Sequence, residues 1–289
     1  MTSTMTARAF THTTSRRLLT LGALVMACHA QVQAQQLPES DSPLWEIGGF
    51  ASALSQQAYP GASQNIGRAL VLPYFIYRGK YFRADRGSLG VRAVKTEEFE
   101  LDVGFGGAFG STSKEIDARN GMPDLGTLVE FGPRLKWNLG AAPGNGKWRA
   151  EVALRGVFDL TDQFKDKGFA LEPELVYERS SSSGWRYGTS VGLVFGDQRL
   201  NDTFYGVAPA YATASRPAYT AKDGLIMSRL SLNVSRKMTP DWRIFGYARL
   251  ASVEGAANTA SPLTRQTTAS TVGIGMTYTF ARSSALAAD

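Results

Sequence analysis

The stretch Thr271 to Phe280 reads T-V-G-I-G-M-T-Y-T-F, and its alternation decides the fold. In an extended strand Val272, Ile274, Met276, Tyr278 and Phe280 fall on one side and Thr271, Gly273, Gly275, Thr277 and Thr279 on the other, because successive side chains point to opposite faces. One face is apolar and ends in aromatics; the other is small and hydroxylated. That division suits a strand with lipid outside and a wet or tightly filled lumen inside. It also suits a soluble antiparallel sheet with one buried face, so the rest of the chain has to choose.

The chain starts with an export signal. Arg8, Arg16 and Arg17 precede an apolar run from Leu18 to Ala27, and Val32-Gln33-Ala34 offers small residues at the two positions a signal peptidase reads. The run has ten residues, about half of what a spanning helix needs. Residues 1–34 are therefore expected to be a cleaved signal peptide, with the mature chain beginning at Gln35. Cys28 follows Val25-Met26-Ala27, a poor match to a lipoprotein cleavage box, and reads as a small residue near the end of the apolar run. Arg16-Arg17 reads as the charged start of the signal, with no further twin-arginine motif.

Removing that segment changes the chemistry available. His12, His29 and Cys28 all lie in it, so the mature chain has no thiolate, no imidazole base and no His or Cys metal ligand. Of 31 basic side chains three leave, and of 25 acidic ones none, which lowers the formal charge from +6 to about +3. No basic cluster with interleaved aromatics appears, and a nucleic-acid partner is not expected. A mean hydropathy below zero and no apolar run of 18 residues exclude helical membrane spans. Thirty glycines and thirty-one aromatics favour many strands with tight turns, in one continuous sheet.

In chain order, residues 35–43 form a polar leader and a first strand begins at Trp45. Leu70 to Tyr77 is a second strand despite Pro73, Lys80 to Ala84 a short third, and Ser88 to Val94 a fourth with a weak pattern. The signal then strengthens. Phe99, Leu101, Val103 and Phe105 alternate with Glu100, Asp102, Gly104 and Gly106, and Leu125 to Leu139 sets Leu125, Val129, Phe131, Leu135 and Trp137 opposite Gly126, Glu130, Gly132, Arg134 and Lys136. Trp148 to Leu160, Phe169 to Tyr177, Trp185 to Phe195 and Leu225 to Arg236 repeat the alternation; Trp242 to Leu250 leaves open which face is which.

The connectors alternate in length: residues 141–147, 180–184 and 237–241 are short, whereas 111–124, 197–223 and 254–268 are long. Short turns on one side and long loops on the other are the habit of outer-membrane barrels. The alternation counts twelve strands with both termini on the short-turn side, or ten if residues 80–94 do not form two separate spans. Trp45, Trp137, Trp148, Trp185 and Trp242 sit near strand ends, where an interfacial girdle belongs. The reading is an all-β, transmembrane, antiparallel up-and-down β-barrel over residues 44–281, followed by a tail of residues 282–289, in the outer membrane with both termini periplasmic. Lipid and the barrel-assembly machinery are its expected contacts.

Two groups of side chains are candidate sites. Glu100, Asp102, Glu130, Arg134, Glu151, Arg155, Glu172, Glu174 and Arg186 point into the lumen and should pair across it, since charges in a narrow barrel require partners or water. Glu172 and Glu174 can also do acid and base work in principle, but ion pairing is the simpler role and no enzyme, metal or cofactor is expected. Asn201, Asp202, Phe204, Tyr205, Arg216 and Tyr219 form the best candidate contact surface, in a loop that either binds a ligand or packs on itself to close the mouth. Tyr278 and Phe280 close the barrel on its lipid side.

The chain resembles the MipA/OmpV family of outer-membrane proteins. The residues that carry the resemblance are Tyr59-Pro60-Gly61 before Leu72-Pro73-Tyr74-Phe75-Ile76-Tyr77-Arg78-Gly79, then Gly121-Met122-Pro123-Asp124-Leu125-Gly126. Asn201-Asp202-Thr203-Phe204-Tyr205-Gly206-Val207, Pro217-Ala218-Tyr219, Gly224-Leu225 and the terminal Gly275 to Phe280 follow in order. The resemblance implies a Gram-negative outer-membrane barrel acting as a scaffold between a murein-degrading lytic transglycosylase and a murein synthase at the peptidoglycan. The alternatives are a small-solute pore lined by the inward charges, or an adhesin or stress-response barrel working through its loops. Members usually end at the aromatic of the last strand, whereas here Ala281 to Asp289 continues beyond Phe280.

Overall fold

A computed structural model describes residues 42–79, 82–85, 88–91, 94–96, 98–108 and 110–287. The expected signal peptide and most of the leader lie outside the described residues. The wall is one antiparallel sheet made of β1 (Trp45–Gln57), β2 (Asn65–Arg78), β3 (Phe82–Asp85), β4 (Ser88–Val91), β5 (Val94–Lys95), β6 (Phe99–Ala108), β7 (Leu128–Ala142), β8 (Gly146–Asp159), β9 (Lys165–Ser180), β10 (Trp185–Gly196), β11 (Gly224–Lys237), β12 (Trp242–Ser252) and β13 (Thr268–Arg282). Sequence neighbours pair from β1 to β4 and from β5 to β13, and β1 pairs with β13. The hydrogen-bonded order runs from β4 round to β5. The sheet is not closed there, and residues 92–93 of the expected strand Ser88 to Val94 lie outside the described residues.

The alternation sorts side chains as the pleat demands. Val71, at 79% exposure, and Ile274, at 71%, face outward with Phe75, Leu154, Val191, Leu250 and Val272. A continuous belt of this kind is far larger than a soluble monomer leaves in water, and it is satisfied by lipid: the chain is an outer-membrane β-barrel protein. All five tryptophans lie towards the short-turn ends of their strands. There Phe99 stacks on Trp137, Trp148 meets Tyr177, and Trp242, Tyr278 and Phe280 form a chain of ring contacts at 4.7 and 5.4 Å. Trp242, Ile244 and Leu250 face out while Arg243 and Phe245 are buried inside, which resolves the faces of β12.

Two inner-face glycines of β13 and β1 are set by close approach. A Cβ on Gly275 would lie 2.3 Å from the Phe245 ring and 2.5 Å from the Ala51 carbonyl, and one on Gly48 would meet the Tyr74 ring at 2.5 Å. The space these glycines leave lets Phe245 stack on Phe50 at 5.5 Å and lets the Tyr74 hydroxyl reach Thr279 Oγ1 at 2.6 Å. The first contact ties β12 to β1 across β13, and the second ties β13 to β2 across β1.

Strand boundaries differ from expectation at one informative place. Leu125 does not begin the β7 wall: it is buried, bridged to Ser111, and belongs to the loop that precedes β7. The alternation around it is preserved by chance of spacing, while Gly126 and Thr127 let the chain turn into the wall. The end of the chain also differs from a free tail. β13 runs on to Arg282, Ser283 N–H donates to the Trp45 carbonyl, Leu44 N–H to Ala285 and Ala287 N–H to Ser42, so residues 283–287 extend the pairing with the leader.

Replacing Phe280 or Tyr278 by Asp sets a carboxylate on the lipid face near its edge, where a charge costs on the order of 1 kcal/mol or more depending on depth. Both variants should assemble in lower yield and lose the heat-sensitive electrophoretic migration of a folded barrel. Wild-type yield and migration of both would overturn the outward register.

Candidate functional site

The inner face carries a chain of ion pairs. Arg134 on β7 grips Asp102 on β6 through both nitrogens, at 2.9 and 2.7 Å, with the two side chains 5% and 3% exposed. Lys136 reaches Asp102 at 2.8 Å and Glu100 at 3.0 Å. Glu151 on β8 accepts from Arg149 at 2.6 Å and lies 3.8 Å from Arg134, and Arg149 continues to Glu178 on β9 at 2.9 Å. Nearer the loops, Arg155 pairs with Glu130 at 3.0 Å and with Glu172 at 3.8 Å, and Arg229 on β11 reaches Glu172 at 3.0 Å and Glu174 at 3.4 Å.

These contacts run along the wall between neighbouring strands, not across an open bore. The Arg229 pairs skip a strand, and a glycine allows it. Gly192 on β10 stands in register between Glu174 and Arg229, and a Cβ there would press on Glu174 Cβ and Cγ at 3.3 and 3.2 Å. With hydrogen in that place the guanidinium passes over β10. Lys136 and Arg149 join these acids, as their place opposite the apolar face implies; Arg229 and Glu178 were missing from the expected network, although each falls on the polar face of its strand's alternation. What sequence lacks is the register that brings β9 and β11 to the same level.

Of the expected set, Glu100, Asp102, Glu130, Arg134, Glu151, Arg155, Glu172 and Glu174 are brought together in this way. Arg186 lies at the short-turn end of β10, in the electrostatic company of Lys237. Among the described residues no group of His, Cys, Asp and Glu is arranged to hold a metal ion.

The second candidate group forms a cap over the loop-side mouth. Asp197 accepts from Leu200 N–H and starts a short helix, α1 (Gln198–Tyr205), inside a connector expected to be irregular. Asn201 is wholly buried: its Nδ2 donates to the Gly196 and Asp197 carbonyls, and its Oδ1 accepts from Asn258 Nδ2 at 2.9 Å. Asn258 Oδ1 in turn accepts from the Tyr219 hydroxyl and Lys222 N–H. Asp202 accepts from Ala221 N–H, Tyr205 is buried among Leu200, Val194 and Ile226, and Phe204 and Tyr219 pack against both apolar clusters of the cap.

Two buried arginines hold this cap without carboxylates. Arg216 donates to the carbonyls of Ala118 at 3.0 Å, Asn120 at 2.9 Å and Tyr211 at 2.8 Å, stitching two long loops together. Arg119 donates to Phe204 and Pro123 carbonyls and lies over the Tyr59 ring at 5.9 Å. Burial pulls its guanidinium below the usual range, an effect that Tyr59 opposes. The Tyr59 hydroxyl donates to the Leu263 carbonyl at 2.6 Å. Burial pushes it up to about 12, and burial raises Tyr205 as well. Arg119, Tyr59, Asn258 and Leu263 were invisible as cap residues in sequence, because their partners lie in other loops.

The arrangement neutralises, fills and covers. A family model described as "MltA-interacting protein MipA" matches residues 49–280. No curated protein matches the chain. Among solved structures, the NanC porin is similar at 12% identity and a TM-score of 0.35, covering 81% of this chain and 98% of its own. An outer-membrane channel from Pseudomonas putida F1 has 7% identity and a TM-score of 0.39 over 86% of this chain and all of its own. OprB of Pseudomonas putida has 8% identity and a TM-score of 0.38 over 82% and 94%.

Two measurements check this site. Asp102→Asn leaves Arg134 and Lys136 short of a counter-charge in a buried place, so the urea midpoint of the refolded barrel should fall by the equivalent of about 3–5 kcal/mol; an unchanged midpoint would contradict the pairing. The buried neutral form of Tyr59 contributes stability that is complete below its ordinary value of 10 and is lost as pH rises towards about 12. Cap proteolysis should therefore accelerate between pH 10 and 12 in the wild type, and the Tyr59→Phe variant should lack that step.

Proposed function

The chain belongs to the MipA family, and from that premise we propose that it is a non-enzymatic scaffold that holds murein-remodelling enzymes at the outer membrane. The family description names an MltA-interacting protein, which supports a murein hydrolase as a partner, with a murein synthase as a second. The observation that carries the reading is the capped lumen with its ion-paired wall. Ion pairs line its wall from Glu100 to Arg229, and the cap hydrogen-bonds four loops over its mouth. A barrel so occupied is better suited to presenting a surface than to passing solute.

The surface presented to the periplasm is built from short turns and both termini. Arg78 pairs with Glu46 at 2.8 Å and donates to the Pro43 carbonyl at 2.7 Å, and Arg282 pairs with Asp241. Each contact fixes a turn or terminus against the barrel end, as a rigid docking face requires. No catalytic role is assigned to Glu172 and Glu174, since Arg229 engages both.

The test joins two readouts on the refolded mature protein. Saturable binding of a purified lytic transglycosylase to the barrel in nanodiscs, together with silence in a planar bilayer, is the expected result. Stable, salt-dependent conductance steps without enzyme binding would replace the scaffold by a small-solute pore.

A further inference from the structure

Beneath the cap the lumen keeps a cavity of about 220 Å³. Its apolar lining comes from Leu54 on β1 and from Leu128, Val194, Leu200 and Ile226 at the base of the cap. Its polar lining holds two arginines, Arg229 and Arg249. They are diagonal neighbours on the inner face, since Ser231, two residues beyond Arg229, stands opposite Arg249 in register.

Arg249 differs from the other arginines of the network. Arg134, Arg149, Arg155 and Arg229 each have a carboxylate within 4.0 Å, whereas among the described residues Arg249 has none. Its Nε donates to Ser231 Oγ at 3.4 Å and its guanidinium lies over the Tyr247 ring at 5.3 Å. Its two Nη groups make no hydrogen bond to a described residue. Beside it Arg229 is 5% exposed, and its buried Nε has no hydrogen-bond partner. Thr271, in register with Arg249, adds a hydroxyl to the same lining. Glu130 and Glu172 also border the cavity but are held by Arg155 and Arg229 at 3.0 Å.

We propose that this cavity is a binding site for a small monocarboxylate with a compact apolar body. A carboxylate accepts two parallel bonds from a guanidinium, so the Nη groups of Arg249 match its oxygens. Arg229 Nε is an additional unused donor nearby. The apolar side selects against free phosphate or a sugar acid, whose hydroxyls would lose water without gaining partners. A cavity of about 220 Å³ leaves room for a ring or a short alkyl chain. This site is separate from the scaffold reading and survives its failure.

The test uses the mature protein in nanodiscs and isothermal titration with phenylacetate, with phenylacetamide as the uncharged analogue. The expected result is saturable 1:1 binding of phenylacetate, weakened at least tenfold for phenylacetamide and in R249Q. K147Q, an exposed change at a short turn, should bind as the wild type does. If R249Q fails to fold, judged by heat-sensitive migration, the acid and amide comparison on the wild type decides alone. Non-saturating uptake, equal affinity for acid and amide, or undiminished binding by folded R249Q would overturn the proposal.

Discussion

The constraint on which this structure depends is that a charge inside a lipid-embedded wall has to meet another charge or a polar partner. Taking a single carboxylate or guanidinium out of water costs several kcal/mol even after relaxation, and removal of one partner strands the other. The inner face therefore comes as a connected set, Glu100 to Lys136 to Asp102 to Arg134 to Glu151 to Arg149 to Glu178, in which each cation is shared between acids. The outer face carries the opposite requirement, and alternation along each strand satisfies both at once. Glycines are the third member of that arrangement. Gly192 lets Arg229 cross a strand, and Gly275 and Gly48 admit the rings that link β12 to β1 and β13 to β2.

The cap obeys a related rule with different chemistry. It stands above the membrane, yet Arg216 and Arg119 are almost fully buried and meet carbonyls in place of carboxylates. A guanidinium has five donors in a fixed fork, so one side chain can hold carbonyls from segments far apart in sequence. The Asn201 and Asn258 amides do the same in neutral form, each donating to carbonyls and each meeting the other. This is why the loop that carries aromatic and polar groups in sequence is a lid in structure: the groups that would recognise a ligand are spent on neighbouring loops.

The wall was legible in the sequence because it is periodic, and the cap was not because it is not. Val272 to Phe280 and Leu171 to Tyr177 announce their outward faces by alternation alone, and the inward set from Glu100 to Glu174 follows as the remainder. Alternation does not carry register, so Arg229 could not be linked to Glu172, nor could β12 be oriented while aromatics stood on both faces at Phe245 and Trp242. Leu125 shows the opposite failure, an apolar residue that fits the period of β7 and belongs to the cap. The helix α1 hides in a polar connector because its stability comes from Asp197 at its start and from Leu200 and Tyr205 buried beneath it, not from an extended amphipathic pattern.

The part of the wall with the weakest pattern holds the two edges of the sheet, β4 and β5. An unpaired edge inside a bilayer leaves backbone donors and acceptors without water, so a spanning wall cannot end there at equilibrium. The chain's own connectivity supplies the remedy. β4 pairs with β3 and β5 pairs with β6, and two residues join them, so a single segment holds both edges and their separation is bounded by the length of those few peptide units. The strong pairing of β1 with β13 across Gly49 and Tyr278 then fixes the circumference from the other side, and the charge network, which begins at β6, lies immediately beside this junction.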